Sequence, residues 1–205
     1  MVVQLTKPIL KGDMSVEEAI KARRTVRRYN PKGITPRQLS NLCWAGQGVT
    51  GANGIYRAAP SAGALYPIFL HVAVGPKSVE GVDEGCYLYH PANHSLELVK
   101  KGDIRRKLAD AALQQMWLSH AEIMFLIASD FKKITPKYGR RGVKYAHYEA
   151  GMVAENILTQ AVALGLGAGT VGAFDDERVA KEAALKEEMD PMLLLSVGNA
   201  LKKDE

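Results

Sequence analysis

The chemistry that this sequence could carry begins with a cluster of arginines near its N-terminus. Four arginines lie within six residues, with one threonine among them: Arg23, Arg24, Thr25, Arg27 and Arg28. A guanidinium offers a rigid fork of donors to a phosphate, and a threonine hydroxyl adds another donor. In an extended segment, the side chains of Thr25 and Arg27 would point in one direction. The cluster indicates either a phosphate site or a solvated basic helix end, and composition alone leaves both interpretations open.

Two segments rich in small residues could bring the backbone close to a flat ligand. Residues 60–67 read PSAGALYP, and Gly63 in this segment allows unusual backbone dihedrals. Residues 167–174 read GAGTVGAF, and such segments present N–H groups to an anion or to a ring nitrogen. The second segment closes a predicted helix, whereas the dinucleotide fingerprint opens one. Both segments are also typical of ordinary structure, namely a loop before a strand and a helix end.

A basic and aromatic segment comes before the longest apolar stretch of the chain. Residues 137–145 read KYGRRGVKY, and a lysine beside a tyrosine can supply general acid-base chemistry where the site lowers the lysine pKa. A basic loop that leads into a helix is the other interpretation. The five histidines and two cysteines follow no metal-binding spacing, and no GxSxG element marks a serine nucleophile. We therefore expect neither a metal centre nor a serine nucleophile.

The chain of 205 residues has ordinary globular composition, with 47% hydrophobic and 24% charged residues. This length predicts one domain over residues 1–205 with a sizeable core. No apolar run approaches the ~18 residues of a membrane span, and no secretory signal is visible. Because Cys43 and Cys86 are the only cysteines, a reducing, cytoplasmic location is favoured over a disulfide scaffold. The net charge of +5 suits an anionic ligand, whereas no nucleic-acid motif accompanies the arginines.

Helix-start signals indicate the elements that position these segments. Residues 15–18 (SVEE) form a capping box, and apolar residues follow it at helical spacing. Residues 35–38 (TPRQ) are a second start with proline at the first helical position, and a glycine-rich run ends that helix. Asp103 is expected to cap a helix that runs to about Trp117. The longest predicted helix spans residues 145–166, is roughly 30 Å long and forms the centre of the core.

Short apolar runs between turn signals predict the strands. The run at residues 123–129 (IMFLIAS) is typical of a strand that is buried on both faces. A turn at residues 91–94 joins two strands as a hairpin, and Asp175 or Asp176 caps a short helix near the C-terminus. Helices and strands mix without regular βαβ alternation, so we predict an α+β fold with a mixed or antiparallel central sheet flanked by helices. The predicted strands are residues 68–74, 86–90, 95–99, 123–129 and 192–197.

The order of these segments resembles the nitroreductase superfamily over nearly the whole chain, from about Ser15 to Asn199. Four segments carry the resemblance: RRTVRRY, LCWAGQGVTG, RAAPSAGALYPIFLHV and ALGLGAGTVGAF. The PSAGALYP segment after WAGQG is similar to the branch called SagB-type dehydrogenases. The resemblance implies an α+β sandwich in an intertwined homodimer, with FMN at the dimer interface. It also implies an FMN-dependent oxidoreductase that passes hydride from NAD(P)H through flavin N5 to a small organic acceptor by a ping-pong mechanism.

The resemblance also implies which residues hold the cofactor. Basic residues would bind the phosphate, a small-residue loop would lie near the flavin ring, and backbone N–H groups would face N5 and orient it for hydride transfer. The residues so matched are Arg23, Arg24, Thr25 and Arg27 for the phosphate and ribityl chain, Pro60, Ser61, Ala62 and Gly63 for the loop, Gly172 and Ala173 for the backbone amides, and Lys202 or Lys203 for the phosphate.

A second activity is implied by the SagB branch. In its azoline-oxidising members, a Lys–Tyr pair ahead of the long helix is linked to catalysis, and Lys144-Tyr145 matches that place. The pair would remove a proton from a thiazoline or oxazoline ring of a modified peptide while hydride passes to the flavin. Two other hypotheses are a flavin-binding protein without turnover and a nucleic-acid module. The last predicts affinity that falls steeply with salt, and no stacking aromatics interleave with the arginines. The expected partners are a second copy of the chain, NAD(P)H and a small-molecule or peptide substrate, without nucleic acid or membrane.

Overall fold

The computed structural model of the chain describes residues 1–51 and 54–201. The strands are β1 (Val2–Gln4), β2 (Ile68–Val74), β3 (Gly85–His90), β4 (Ser95–Lys101), β5 (Ile123–Ser129), β6 (Gly167–Val171) and β7 (Asp190–Gly198). Within the described residues, these strands form one seven-stranded sheet in the order β1-β4-β3-β2-β5-β7-β6. All neighbouring strands are antiparallel, which confirms the predicted α+β fold with an antiparallel sheet.

Helices cover both faces of this sheet. They are α1 (Val16–Ala22), α2 (Pro36–Gln47), α3 (Arg105–Ala111), α4 (Thr135–Tyr138), α5 (Arg140–Ala163) and α6 (Asp176–Ala183). Side chains of β5 alternate between the faces, so that Phe125 joins the core with α2 and α5, while Met124 joins the core with α3 and α6. Every residue of β5 is buried, as its apolar run predicts. Within the described part of the chain, no helix is both long and apolar enough to cross a membrane.

Helices α1 and α2 begin where the sequence predicts, because both starts carry reciprocal capping bonds. The Ser15 hydroxyl accepts the Glu18 N–H at 3.1 Å, and the Glu18 carboxylate accepts the Ser15 N–H at 2.7 Å. At α2, the Thr35 hydroxyl accepts the Gln38 N–H at 3.1 Å, and the Gln38 side-chain oxygen accepts the Thr35 N–H at 2.8 Å. The strand predicted at residues 68–74 has the bounds of β2. Local signals were therefore sufficient at these elements.

The helix expected from Asp103 to about Trp117 is shorter than predicted. The Arg105 N–H donates to the Asp103 carboxylate at 3.0 Å, and α3 ends at Ala111. Two of the next residues have φ of 54° and 59°, a left-handed backbone that stops a right-handed helix. The chain then forms a separate 3-10 turn at Met116–His120. The predicted length was wrong because apolar spacing continues across this change of backbone direction.

The longest helix also differs from its prediction. Helix α5 contains 24 residues, about 36 Å, and it begins at Arg140 rather than at Tyr145. Lys144 and Tyr145 therefore lie inside its first turns, not ahead of it. The glycine-rich run that follows is strand β6 rather than only a helix end. Glycine and alanine give no strand signal, so the pairing of β6 with β7 is what makes this segment a strand.

Gly169 of β6 allows two other segments to approach the sheet closely. A Cβ at this position would lie 2.6 Å from the Val26 carbonyl oxygen and 2.8 Å from the nearest atom of the Trp117 ring. A glycine is required wherever backbone and ring come this near. Gly169 therefore fixes where the arginine segment docks on the sheet.

We expect Gly169→Ala to lower the free energy of unfolding by about 1–3 kcal/mol, because a methyl group at a filled position forces its neighbours to move. Gly12→Ala is the control, since nothing lies within 4 Å of its Cβ position. Urea titrations of the two variants and of the unmodified protein would test this. Equal stabilities of the two variants would contradict the docking role.

Candidate functional site

The loop between α2 and β2 has a backbone that the rest of the structure must hold in place. Gly63, Ala64 and Tyr66 have φ of 63°, 54° and 48°. A left-handed backbone at a residue with a side chain costs roughly 1–2 kcal/mol. Within the loop, the Ser61 hydroxyl accepts the Tyr66 N–H at 2.8 Å. The loop is exposed at Pro60 and at Gly63, so an ordered and accessible surface of small residues results.

Helix α5 anchors this loop through two side chains on one of its faces. The Ala62 N–H donates to the Glu149 carboxylate at 2.8 Å, and the Ser61 hydroxyl also hydrogen-bonds to that carboxylate. The Asn156 side chain donates to the Ala58 carbonyl at 3.2 Å. Glu149 and Asn156 are seven residues apart, so they lie on the same side of the helix. Helix α5 therefore holds the loop at two points, Ala58 and Ala62.

Glu149 is an ionisable group on the buried face of α5, with only 4% of its surface exposed. Burial raises the pKa of the Glu149 carboxyl, although the hydrogen bonds from Ala62 and Ser61 act in the opposite direction. Glu149 is not among the site residues predicted from the sequence. The sequence does contain a signal for this residue, because the acidic Glu149 interrupts the apolar positions Ala146, Ala150 and Val153 of the helix.

Lys137 and Tyr138 lie directly against the loop. A Cβ on Gly63 would be 2.7 Å from the Tyr138 hydroxyl oxygen and 2.8 Å from the Lys137 ammonium nitrogen. The cause is the antiparallel pairing of β2 with β5, which places the start of one strand beside the end of the other. The Asp130 N–H donates to the Pro67 carbonyl at 2.9 Å just beyond that pairing. Segments that are distant in the chain therefore meet at one end of the sheet.

Tyr145 belongs to the same cluster, whereas Lys144 stands apart. The Tyr145 ring meets the Tyr138 ring edge-on, with centroids 5.3 Å apart, and the Arg141 Nε donates to the Tyr145 hydroxyl at 3.1 Å. Lys144 is exposed and forms no ion pair with another residue that the structure describes. Of the predicted Lys–Tyr pair, only Tyr145 is held in a defined position.

The arginine segment docks on the free edge of β6. The Val26 N–H donates to the Ala168 carbonyl at 2.8 Å, and Thr25 pairs with Ala168 as a parallel bridge. The Arg27 guanidinium lies over the Trp117 ring, 5.4 Å from its centroid. The neighbouring Arg23 pairs with Glu155 of α5 at 3.8 Å. The backbone of the segment is thus fixed while most of its cationic side chains face solvent.

Gly172 and Ala173 follow the end of β6 and are exposed. The Ala173 carbonyl accepts the Gln115 side-chain amide at 3.3 Å. Because neighbouring strands are antiparallel, the end of β6 lies at the same end of the sheet as the start of β2 and the end of β5. Lys202 and Lys203 fall outside the described residues.

The structure brings the loop and the cluster around Tyr145 together, but it does not bring the arginine segment to them. Hydrogen bonds and ion pairs of the described residues connect the loop to α5, and connect the arginine segment to β6 and to Glu155. None of them connects the segment to the loop. Ala168 and Gly172 are about 13 Å apart along the extended backbone of β6. Within one chain, these predicted site residues form an open surface.

Two concavities adjoin the predicted site residues without being lined by them. A groove of about 830 Å³ runs between α1, α2 and α5, and it reaches Glu155. A smaller pocket of about 270 Å³ is lined by Arg57 and Tyr66, with the Arg57 guanidinium 4.1 Å from the centre of the Tyr66 ring. Neither is lined by the arginine segment, by residues 60–63 or by Gly172. A flat ligand on the predicted residues would need a second surface to cover it.

Comparison with known proteins identifies the class of protein. Residues 20–199 match the model of the Nitroreductase family, so the chain belongs to that family of oxidoreductases. A Methanocaldococcus jannaschii protein that carries the name nitroreductase is 39% identical over 190 residues, which are 93% of each chain. A Ralstonia eutropha crystal structure, also named as a nitroreductase, is 25% identical with a TM-score of 0.83, and covers 98% of this chain and 90% of its own.

A further similar protein is named for the processing of a microcin. The Escherichia coli microcin B17-processing protein McbC is 29% identical over 132 residues, which are 62% of this chain. The match spans only 48% of McbC, so the two proteins share about half of the longer one. This similarity agrees with the resemblance to the SagB branch.

The raised pKa of Glu149 predicts how stability depends on pH. The folded protein binds the Glu149 proton more tightly than the unfolded chain does. The contribution of Glu149 to the free energy of unfolding is therefore complete below a pH of about 4.5, the ordinary pKa of a glutamate, and it is lost as the pH rises through the pKa of the folded state. Glu149→Gln cannot titrate. Urea titrations from neutral pH downwards should therefore show wild type gaining stability relative to this variant, and a constant difference would contradict the assignment.

Glu149→Ala should be about 1–3 kcal/mol less stable than Glu149→Gln, because the Ala62 N–H loses its acceptor.

Proposed function

We propose that the chain binds FMN and works as a homodimeric oxidoreductase that passes hydride from NAD(P)H to a small organic acceptor. Membership of the Nitroreductase family supports the reaction class. The observation that carries the proposal is the arginine segment, which β6 holds by its backbone while Arg24 and Arg27 stay exposed. Cationic forks at a fixed backbone position are suited to a phosphate.

The residues of this segment fit the phosphate end of FMN. The pair between Arg23 and Glu155, at 3.8 Å, is of the exposed type that contributes about 0–1 kcal/mol, so a phosphate can replace the carboxylate. The Trp117 ring restricts Arg27 to one region of the surface. The exposed Thr25 adds a hydroxyl donor on the same segment. Lys202 or Lys203 would complete the phosphate site.

The small-residue segments fit the ring end. Pro60, Ser61, Ala62 and Gly63 would lie near the flavin ring, and the bonds from α5 order this loop before binding, which lowers the entropy lost on association. The backbone N–H groups of residues 172–173 would meet the N5 edge. FMN supplies a ring that accepts hydride at N5 and gives it up again. Because donor and acceptor would use the same exposed face in turn, a ping-pong order follows without a separate nicotinamide site.

A second copy of the chain would cover the open surface. Tyr148 and Met152 on α5 are 58% and 45% exposed, and Val16 and Ile20 on the adjoining α1 are 65% and 60% exposed. Large apolar side chains that cluster on neighbouring helices are typical of an interface. Burial of these helices between two chains would enclose the ligand that one chain leaves open.

A single domain with two free cysteines is consistent with the proposed cytoplasmic location.

The first experiment is the absorption spectrum of the purified protein, before and after NADPH is added without oxygen. We expect absorption bands of oxidised flavin that bleach when NADPH is added.

Arg27→Gln should raise the dissociation constant of FMN about tenfold to a hundredfold, because a hydrogen bond to a charged group is lost. Lys101→Gln removes the same charge at the end of β4, five strands away from β6, and should leave FMN binding unchanged. Protein that neither carries nor binds FMN would refute the proposal, and flavin that NADPH does not bleach would favour a flavin protein without this turnover.

A second candidate function is azoline oxidation on a modified peptide, which the similarity to the processing protein McbC favours. Tyr145 is held beside the loop through Tyr138 and Arg141. Lys144 is exposed one position earlier on the same helix turn. In this function Lys144 or Tyr145 would take a proton from the ring carbon, and the hydride would leave to the bound flavin.

Separate variants distinguish the two candidate functions. Lys144→Ala and Tyr145→Phe should each reduce azoline oxidation at least tenfold if the residue moves a proton, since general acid-base catalysis contributes about 10²–10⁴-fold. NADPH oxidation with an uncharged small acceptor should change little in the same variants. Conversion of a thiazoline peptide to the thiazole, followed by mass spectrometry, measures the first activity. Conversion that survives both substitutions would exclude this mechanism.

A further inference from the structure

We propose that Lys137 and Arg141, with the rings of Tyr138 and Tyr145, form a recognition site for planar anionic acceptors such as aromatic carboxylates. The inference rests on the proposed function, because residues 60–63, against which the cluster lies, are the proposed flavin loop. It goes beyond that function by naming the chemical class of the acceptor and the side chains that select it.

The position of the cluster comes from its contacts with Gly63. The Tyr138 hydroxyl and the Lys137 ammonium both lie within 3 Å of the place that a Gly63 Cβ would occupy, at 2.7 Å and 2.8 Å. The absence of a side chain at Gly63 therefore lets both polar groups rest on the loop backbone. A ligand that lies on the exposed Gly63 would meet these two groups first.

The basic segment at residues 137–144 has no acidic side chain in ion-pair contact with it among the described residues. Residues 137–144 contain Lys137, Arg140, Arg141 and Lys144 and no acidic residue. Among the described residues, five other Lys and Arg side chains form ion pairs, for example Lys100 with Glu182 and Arg105 with Asp103. None of the ion pairs among the described residues involves the cations of residues 137–144. An anionic ligand would supply the charge that the protein itself does not.

The arrangement of the four side chains selects a planar ligand with one anionic group. The rings of Tyr138 and Tyr145 meet at 80°, so a face of one ring remains free of the other for stacking. Arg141 is tethered through Nε to the Tyr145 hydroxyl, which leaves its terminal nitrogens for a carboxylate. The Lys137 ammonium lies over the neighbouring Tyr138 ring, 5.3 Å from the ring centre. An aromatic acceptor without charge would gain the stacking alone.

The test compares two probes of the same shape. Benzoate and benzamide differ in charge and not in the ring, and isothermal titration calorimetry measures both dissociation constants on the holoprotein whose flavin content is known from its absorption spectrum. We expect benzoate to bind at least tenfold more tightly than benzamide. Lys137→Gln and Arg141→Gln should each remove most of this preference while changing the benzamide constant less than twofold. Tyr138→Leu should weaken both probes and leave their ratio nearly unchanged.

Matched variants control for net charge and for folding. Lys101→Gln lies at the opposite end of the sheet from the loop, and Arg106→Gln lies on α3, across the sheet from α5, so neither should change the ratio. Thermal unfolding of each variant shows that it is folded. Equal affinity for the two probes in wild type, or an equal loss of preference in Lys101→Gln or Arg106→Gln, would overturn the inference. A protein without flavin that still shows the preference and its loss in Lys137→Gln would support the recognition site and refute the proposed cofactor instead.

Discussion

The buried carboxylate of Glu149 joins the core of this protein to its candidate site. It lies on the face of α5 that packs on the sheet, beside Ala146 and Val153, and it accepts the Ala62 N–H. A carboxylate that is removed from water needs hydrogen-bond donors, and a loop with left-handed residues needs a fixed anchor. The Ala62 N–H supplies the donor that the carboxylate needs, and the carboxylate supplies the anchor that the loop needs. The helix therefore cannot pack as it does without also setting the shape of the loop.

The antiparallel sheet explains why the predicted site segments form a surface and not a pocket. Its pairing places the start of β2, the end of β5 and the end of β6 at one end of the molecule, side by side. Neighbouring strands are about 4.8 Å apart, so the three segments spread over a width of roughly 14 Å. The arginine segment extends the same surface along the edge of β6. In the proposed function, a ligand that touched all of them would be flat and long, and a second chain docked on the exposed apolar residues of α1 and α5 would cover it.

Prediction from the sequence succeeded where the physical cause is local. The capping boxes at Ser15 and Thr35 stabilise a helix start through residues three positions apart, so the sequence contains the whole interaction. The run of β5 is apolar because both of its faces are covered, and this too is visible residue by residue. Prediction failed at β6 and at the end of α3. Pairing with a distant strand makes a glycine-rich segment extended, and a change to positive φ ends a helix whose apolar spacing continues.

The identity and order of the residues were enough to predict the family, the fold class and the chemical types of the candidate site residues. The resemblance to the family implied a phosphate-binding role for Arg23 to Arg27 and a flavin-side role for the small-residue loop around Gly63. Three contacts become visible only in the folded chain: Lys137 and Tyr138 rest on Gly63, Glu149 holds Ala62, and Arg27 lies over Trp117. These contacts join residues far apart in the chain, and their distances follow from strand pairing and helix packing rather than from spacing along the sequence.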